Sequence, residues 1–343
     1  MLTRCTLLLL LLVAGCATDD RTQVVVYSPH GKEMLGAYED AFEAEHPDVN
    51  IQWIDMGGQD AYDRIRTEQQ NPQASIWWGG ASMAFERAAG EGLLEPYTPS
   101  WAEAVPAHSR GTDEAWFGTF LTPEVITYNT RTLEGETPPQ DWDDLLDEKW
   151  QDRVIIRYPL ASSTMRTIYG AMILRQPTVE EGYAWLARLD RNVATYTADP
   201  TQLYLKLARE EGDLTLWNMP DTYIQAETVG YPFDYLIPAS GTPLLTDGIA
   251  LVAGGPNREA AVDFYEFVTS ESALIDQAHR FYRIPVRTDI RPAALPEWIT
   301  RVDIKPMEID WQRLAEEGAD WMQFWDEQIK GRGGAYLAER GLE

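Results

Sequence analysis

Three consecutive hydroxyls, Ser162, Ser163 and Thr164, stand before an apolar helical run that reaches Leu174. A helix start carries roughly half a positive charge, and its free amides and hydroxyls donate to phosphate or carboxylate oxygens. The same residues also serve as plain N-caps, where one Ser satisfies the helix and nothing else binds. Composition alone favours the cap. Comparable turns are Ser28-Pro29-His30-Gly31, Gly57-Gly58-Gln59-Asp60 and Gly79-Gly80-Ala81-Ser82. Each follows a β-rich run, and in open α/β sheets ligands sit beyond the carboxyl ends of the strands. His30 is placed to donate to a ligand oxygen or to bind a metal. The four histidines, His30, His46, His108 and His279, form no close-spaced pair. A His-rich metal site is therefore not expected.

Asn218 and Asp221 flank Pro220, either as groups that hydrogen-bond a sugar or an amine or as plain turn formers. Asp55, Asp60, Asp221 and Asp247, with Trp78 and Trp217, would suit a polyamine cage. Trp77 and Trp78 are consecutive on a strand, so at most one faces a cleft. With 13 Trp in the chain, core packing is the default for each. No nucleophile elbow, His-Glu metalloprotease pair, phosphate loop or dinucleotide glycine fingerprint occurs. No catalytic residue, metal ligand or cofactor is therefore assigned, and the chain is not read as an enzyme.

Lys and Arg number 28 against 55 Asp and Glu, a formal net charge of −27. So acidic a surface repels phosphate backbones and argues against nucleic-acid binding. The two cysteines, Cys5 and Cys16, both lie near the start. Arg4 precedes the apolar run Leu7 to Val13, too short for a permanent span and suited to a signal-peptide core. Val13-Ala14-Gly15-Cys16 resembles the bacterial lipobox, which implies a signal peptide over 1–15, a lipid on Cys16 and a tether over 16–23. Such a protein meets the membrane through that lipid alone. It would reside in the periplasm or cell envelope.

The elements that must position these residues are legible as patterns. Strands are expected at 23–27, 49–54 and 74–78, each followed by a turn and an amphipathic helix. Three such units imply a parallel sheet in a layered α/β domain. Residues 116–129 read as one long extended run, and further strands are expected at 154–157, 213–217, 235–237 and 248–253. Helices are expected over 163–174, 179–190, 203–211 and 257–269, with late helices near 311–330.

The ordered set of segments resembles the extracellular solute-binding proteins of ATP-binding-cassette importers, in the group with ferric-ion, sugar-phosphate and aminoethylphosphonate binders. The match is carried by Val25-Val26-Tyr27-Ser28, Ala74 to Ala81, Leu93-Leu94-Glu95-Pro96-Tyr97, Val125 to Asn129 and Gly241 to Leu251. The resemblance implies a type II periplasmic-binding-protein fold: two α/β lobes, a hinge and a central cleft. Lobe one would span 24–120 and 245–343, lobe two 121–244, with crossings near 119–127 and 238–247. It turns Ser163 and Thr164 from caps into ligand donors. The full ligand-binding set is then Ser28, His30, Gly31, Gly58, Gln59, Gly80, Ala81, Thr122, Ser162, Ser163, Thr164, Trp217, Asn218, Asp221 and Asp247. The implied cargo is a small anionic organic solute of sugar-phosphate or phosphonate type, delivered by a monomer to permease and ATPase subunits. Ferric iron and polyamines are the alternatives. Ferric receptors of the group carry adjacent tyrosines where this chain has Trp217-Asn218-Met219-Pro220-Asp221, which counts against iron.

Overall fold

The structure, a computed structural model, describes residues 19–342. The expected signal peptide, Cys5 and Cys16 lie outside the described residues. Among those described, no helix is long and apolar enough to cross a membrane.

The chain opens with β1 (Thr22–Ser28), α1 (Lys32–Glu45), β2 (Val49–Asp55), α2 (Gly58–Thr67), β3 (Ile76–Ala81), α3 (Ser82–Gly90) and the short β4 (Leu94–Glu95). β1 pairs in parallel with β2 on one side and β3 on the other. Side chains alternate across β1. Val24 and Val26 pack with Met34, Leu35 and Phe42 of α1, while Tyr27 packs with Ala61, Tyr62 and Phe85 on the opposite face. Pro47 follows His46 and stops α1, since proline cannot continue the hydrogen-bond ladder. Trp77 and Trp78 fall on opposite faces as period two requires, and both are fully buried.

A strand of 13 residues, β5 (Phe117–Asn129), then crosses the molecule. It leads to β6 (Val154–Arg157), α4 (Ser163–Leu174), α5 (Val179–Asp190), β7 (Val193–Thr197), α6 (Pro200–Ala208), β8 (Leu214–Asn218), α7 (Met219–Tyr223) and β9 (Phe233–Leu236). The return strand is β10 (Leu244–Val252), followed by α8 (Arg258–Val268), α9 (Glu271–Phe281), β11 (Ile284–Pro285), α10 (Glu297–Arg301), α11 (Trp311–Gln328) and α12 (Gly333–Ala338). The strand order is β2-β1-β3-β10-β5-β8-β6-β7. The first half of β5 pairs with β10 in lobe one, and the second half with β8 and β9 in lobe two. One strand therefore belongs to both lobes.

The C-terminal helices depart from the expected lobe division. They lie in lobe two, not lobe one. Leu314, Trp321, Met322 and Trp325 of α11, with Tyr336 and Leu337 of α12, join the core built on Ile155, Ile168, Leu189 and Leu216. The Trp325 and Tyr169 rings meet edge to face at 5.3 Å. Asp190 closes the joint by accepting from the Gly331 and Gly333 amides at 2.9 and 2.8 Å. An amphipathic helix advertises that it needs a partner, not which one. Some elements, β7, α7 and α9 among them, have no counterpart in the sequence pattern, and other differences are of boundary. α6 begins at Pro200 behind the Asp199 cap, and β10 begins at Leu244, earlier than the sequence pattern suggested.

Candidate functional site

A cavity of about 410 Å³ lies between the lobes. Three helices aim their N-termini at it: α2 from lobe one, α4 and α6 from lobe two. The first two nearly touch. A Cβ on Gly58 would stand 3.0 Å from the Gly80 Cα and 3.5 Å from Ser163 Oγ. Arg166 of α4 donates to Gln59 Oε1 of α2 at 3.1 Å, so one hydrogen bond already spans the two lobes.

The three hydroxyls of α4 divide their work. Ser162 is the cap, accepting from the Met165 amide at 3.3 Å. That leaves the Ser163 and Thr164 hydroxyls on the cavity wall. The glycine pair near the end of β3 brings backbone to the same place. Gly79 and Gly80 have φ of +102° and +120°, and a Cβ on Gly79 would fall 2.6 Å from His30 Nε2. Only glycine meets both demands.

His30 packs edge to face on Trp78 and Phe120, at 5.1 and 5.3 Å, and lines the cavity. Burial, aided by the nearby Arg283 charge, pushes its pKa well below the usual range, so the ring is neutral. Its Nε2 is buried without a hydrogen-bond partner. Among the described residues no three His, Cys, Asp or Glu side chains come together to hold a metal ion.

Four of the expected ligand residues are used internally. Ser28 is fully buried, and its hydroxyl accepts from the His30 amide at 3.3 Å. Gly31 caps α1, its amide faces the Asp55 carboxylate, and it does not itself line the cavity. Trp217 is a prop: its indole donates to Tyr204 Oη at 2.8 Å and Asp221 Oδ2 at 3.2 Å. Neither Trp217, Trp77 nor Trp78 lines the cavity, so no indole face is offered to a ligand there. Asn218 does line it, yet its amide is spent on Asp221, donating to Oδ2 at 2.9 Å and accepting from the amide at 2.9 Å.

Gly58, Gln59, Gly80, Ala81, Thr122, Asp221 and Asp247 all line the cavity. Asp221 Oδ2 takes donors from Trp217, Asn218 and Tyr204, which fixes the carboxylate. Asp247 is held by the Thr122 hydroxyl and the Gly80 amide. Burial raises its pKa, opposed by those hydrogen bonds and by Arg283.

Two cationic cavity residues are among those that escaped the sequence reading. Arg157 ends β6 in lobe two, and Arg283 follows α9 in lobe one. Arg283 is only 8% exposed. Neither guanidinium takes part in an ion pair among the described residues, and both Nε atoms are buried without a partner. Burial lowers the Arg157 pKa, although arginine stays protonated. An unpaired buried charge is costly, so such groups are expected to meet an opposite charge from elsewhere. The arrangement thus offers two cationic forks from opposite lobes, three helix tips and two fixed carboxylates.

The two tyrosines nearest the iron-type position are brought together, but elsewhere. Tyr235 Oη donates to Tyr223 Oη at 2.9 Å, in a cluster with Tyr282 and Trp298 outside the cavity.

Known proteins place this geometry in context. The chain is 29% identical to iron uptake protein A1 of Synechocystis over 69% of both chains. It is 25% identical to a putative 2-aminoethylphosphonate-binding periplasmic protein of Salmonella typhimurium, over 85% of this chain and 87% of that one. The solved periplasmic binding protein AfuA from Actinobacillus pleuropneumoniae, with exogenous fructose-6-phosphate bound, superposes with a TM-score of 0.78 at 22% identity, covering 90% of this chain and 99% of that one. Residues 37–306 match the family model described as bacterial extracellular solute-binding protein, and this chain belongs to that family.

Proposed function

We propose that the protein is the receptor of an ATP-binding-cassette importer, clamping a small organic anion of phosphate or phosphonate type between its lobes and passing it to a permease. The single observation that carries this reading is the pair Arg157 and Arg283, one per lobe, whose guanidinium groups meet the cavity without a carboxylate partner. Closing the lobes on an anion would satisfy both at once, with Ser163, Thr164 and the α2 tip donating to the remaining oxygens. Asp221 and Asp247 then read as acceptors for hydroxyl or amine groups on the organic part. The overall charge of −27 does not oppose this, because the local pocket sets the local field.

The test is a thermal-shift panel of sugar phosphates, phosphonates, polyamines and ferric citrate. A true ligand at 100 times its Kd adds about 2.7 kcal/mol of stability. A phosphate or phosphonate ester should give the largest rise. A rise with polyamines or iron alone would overturn the reading. The lipid on Cys16 belongs to the same proposal, and with it a monomer tethered in the cell envelope. Labelling with radioactive palmitate should mark the intact protein and be abolished by Cys16→Ser.

A further inference from the structure

Tyr282 follows α9 with φ 54° and ψ 34°, the left-handed conformation that helix ends usually give to glycine or asparagine. A bulky side chain there is an outlier, and such strain persists only where the surroundings hold it. What holds it lies in the other lobe. The Tyr282 ring stacks on Tyr223 of α7, centroids 5.2 Å apart and planes within 5°. Tyr223 is itself fixed by the Tyr235 hydroxyl at 2.9 Å, and Trp298 tilts against both stacked rings at 5.3 and 5.9 Å. The next residue in the chain is Arg283, the cavity guanidinium of lobe one. A glycine at this helix end would relieve the backbone and lose the stack.

We propose that Tyr282 is a positioning residue: stacked across the lobe boundary on Tyr223, it aims the adjoining Arg283 at the anion when the lobes are together. The inference rests on the anion reading above. The strained turn fixes where the chain leaves α9, and the stack ties that turn to lobe two. Closure and delivery of the Arg283 fork are therefore one event.

The test compares Tyr282→Gly with Tyr282→Phe by titration calorimetry, using inorganic phosphate, fructose 6-phosphate and 2-aminoethylphosphonate as probes. Tyr282→Gly suits the left-handed turn, so the free protein should melt no lower than wild type. Its affinity for each probe that wild type binds should fall about fivefold to tenfold, the range of one aromatic pair. Tyr282→Phe keeps the stack and should stay within about twofold of wild type. In an Arg283→Ala background Tyr282→Gly should add nothing further. Unchanged affinity in Tyr282→Gly, or full additivity with Arg283→Ala, overturns the proposal. Should wild type bind none of the probes, the anion reading fails instead, and small-angle scattering of the ligand-free proteins decides the role of the stack. A larger radius for Tyr282→Gly than for Tyr282→Phe supports it, and equal radii overturn it.

Discussion

The crossing strands β5 and β10 have a front and a back, and the two faces differ in kind. Thr122 of β5 and Leu245 and Asp247 of β10 face the front cavity of about 410 Å³. Leu121, Leu244 and Thr246, one step out of phase, face a back groove of about 1090 Å³ between α3 and α11. The back is larger, but among the described residues none of its lining side chains keeps a buried polar atom without a partner. Glu86 accepts from Trp116 Nε1 at 3.0 Å, Arg87 pairs with Glu91 at 3.3 Å, Arg110 Nε donates to the Val105 carbonyl at 2.8 Å, and Gln312 donates to Glu316 at 3.0 Å. On the front, Arg157, Arg283 and His30 keep buried nitrogens without partners. Unmet hydrogen-bonding capacity, not volume, distinguishes the face proposed to take a ligand.

The largest effect should come from the front cations. Arg157→Ala or Arg283→Ala should each weaken binding of the phosphate or phosphonate ligand by about 100-fold or more, the scale of losing one buried charged partner. The free protein should melt no lower, because an unpaired charge is being removed. Equal affinity in calorimetric titration would break the comparison at once. Next is Ser163→Ala with Thr164→Ala, expected to weaken the same ligand about 30-fold with little change in Tm. Ser162→Ala should do the reverse, destabilising by about 1 kcal/mol through loss of the α4 cap.

A third effect is on stability against pH. Glu124, next along the front face of β5 and directly opposite Asn218, is fully buried with both carboxyl oxygens unpartnered. Burial, then Asp247 and Asp221, raises its pKa well above the ordinary value. The native state thus keeps a proton that the unfolded chain releases above about pH 4.5. Stability should fall as pH climbs from there, by up to about 1.4 kcal/mol per unit for this one group. Glu124→Gln should flatten that fall in urea titrations, and an unchanged slope would remove Glu124 from the account. The smallest effect is the control on the other face: Gln312→Ala should alter ligand affinity less than about twofold.

Much of this was legible in the sequence, for reasons that also explain the misses. Strand, glycine turn and helix repeat in order, so the turns at Gly58, Gly80 and Ser163 follow from periodicity and from where α/β sheets leave helix tips. The hydroxyl division at Ser162, Ser163 and Thr164 was not legible, because capping is settled by a single backbone contact. The internal engagement of Ser28 and Trp217 was hidden for the same reason: their partners, the His30 amide and the Tyr204–Asp221 pair, emerge only on folding. Arg157 carried a usable signal, as the last residue of a parallel strand. Its decisive property, the absence of an ion-pair partner among the described acids, is a fact of three dimensions. Arg283 carried no signal at all, since its place depends on the strained turn before it.

The docking of α11 and α12 on lobe two reaches back to the birth of the protein. Lobe one needs β10, α8 and α9, which are made long after its opening strands, and lobe two lacks Trp325 until α11 follows them. Neither half finishes its interior early. A nascent chain with that layout holds the whole of neither core until α9 is made, and lobe two completes its core only when α11 and α12 follow.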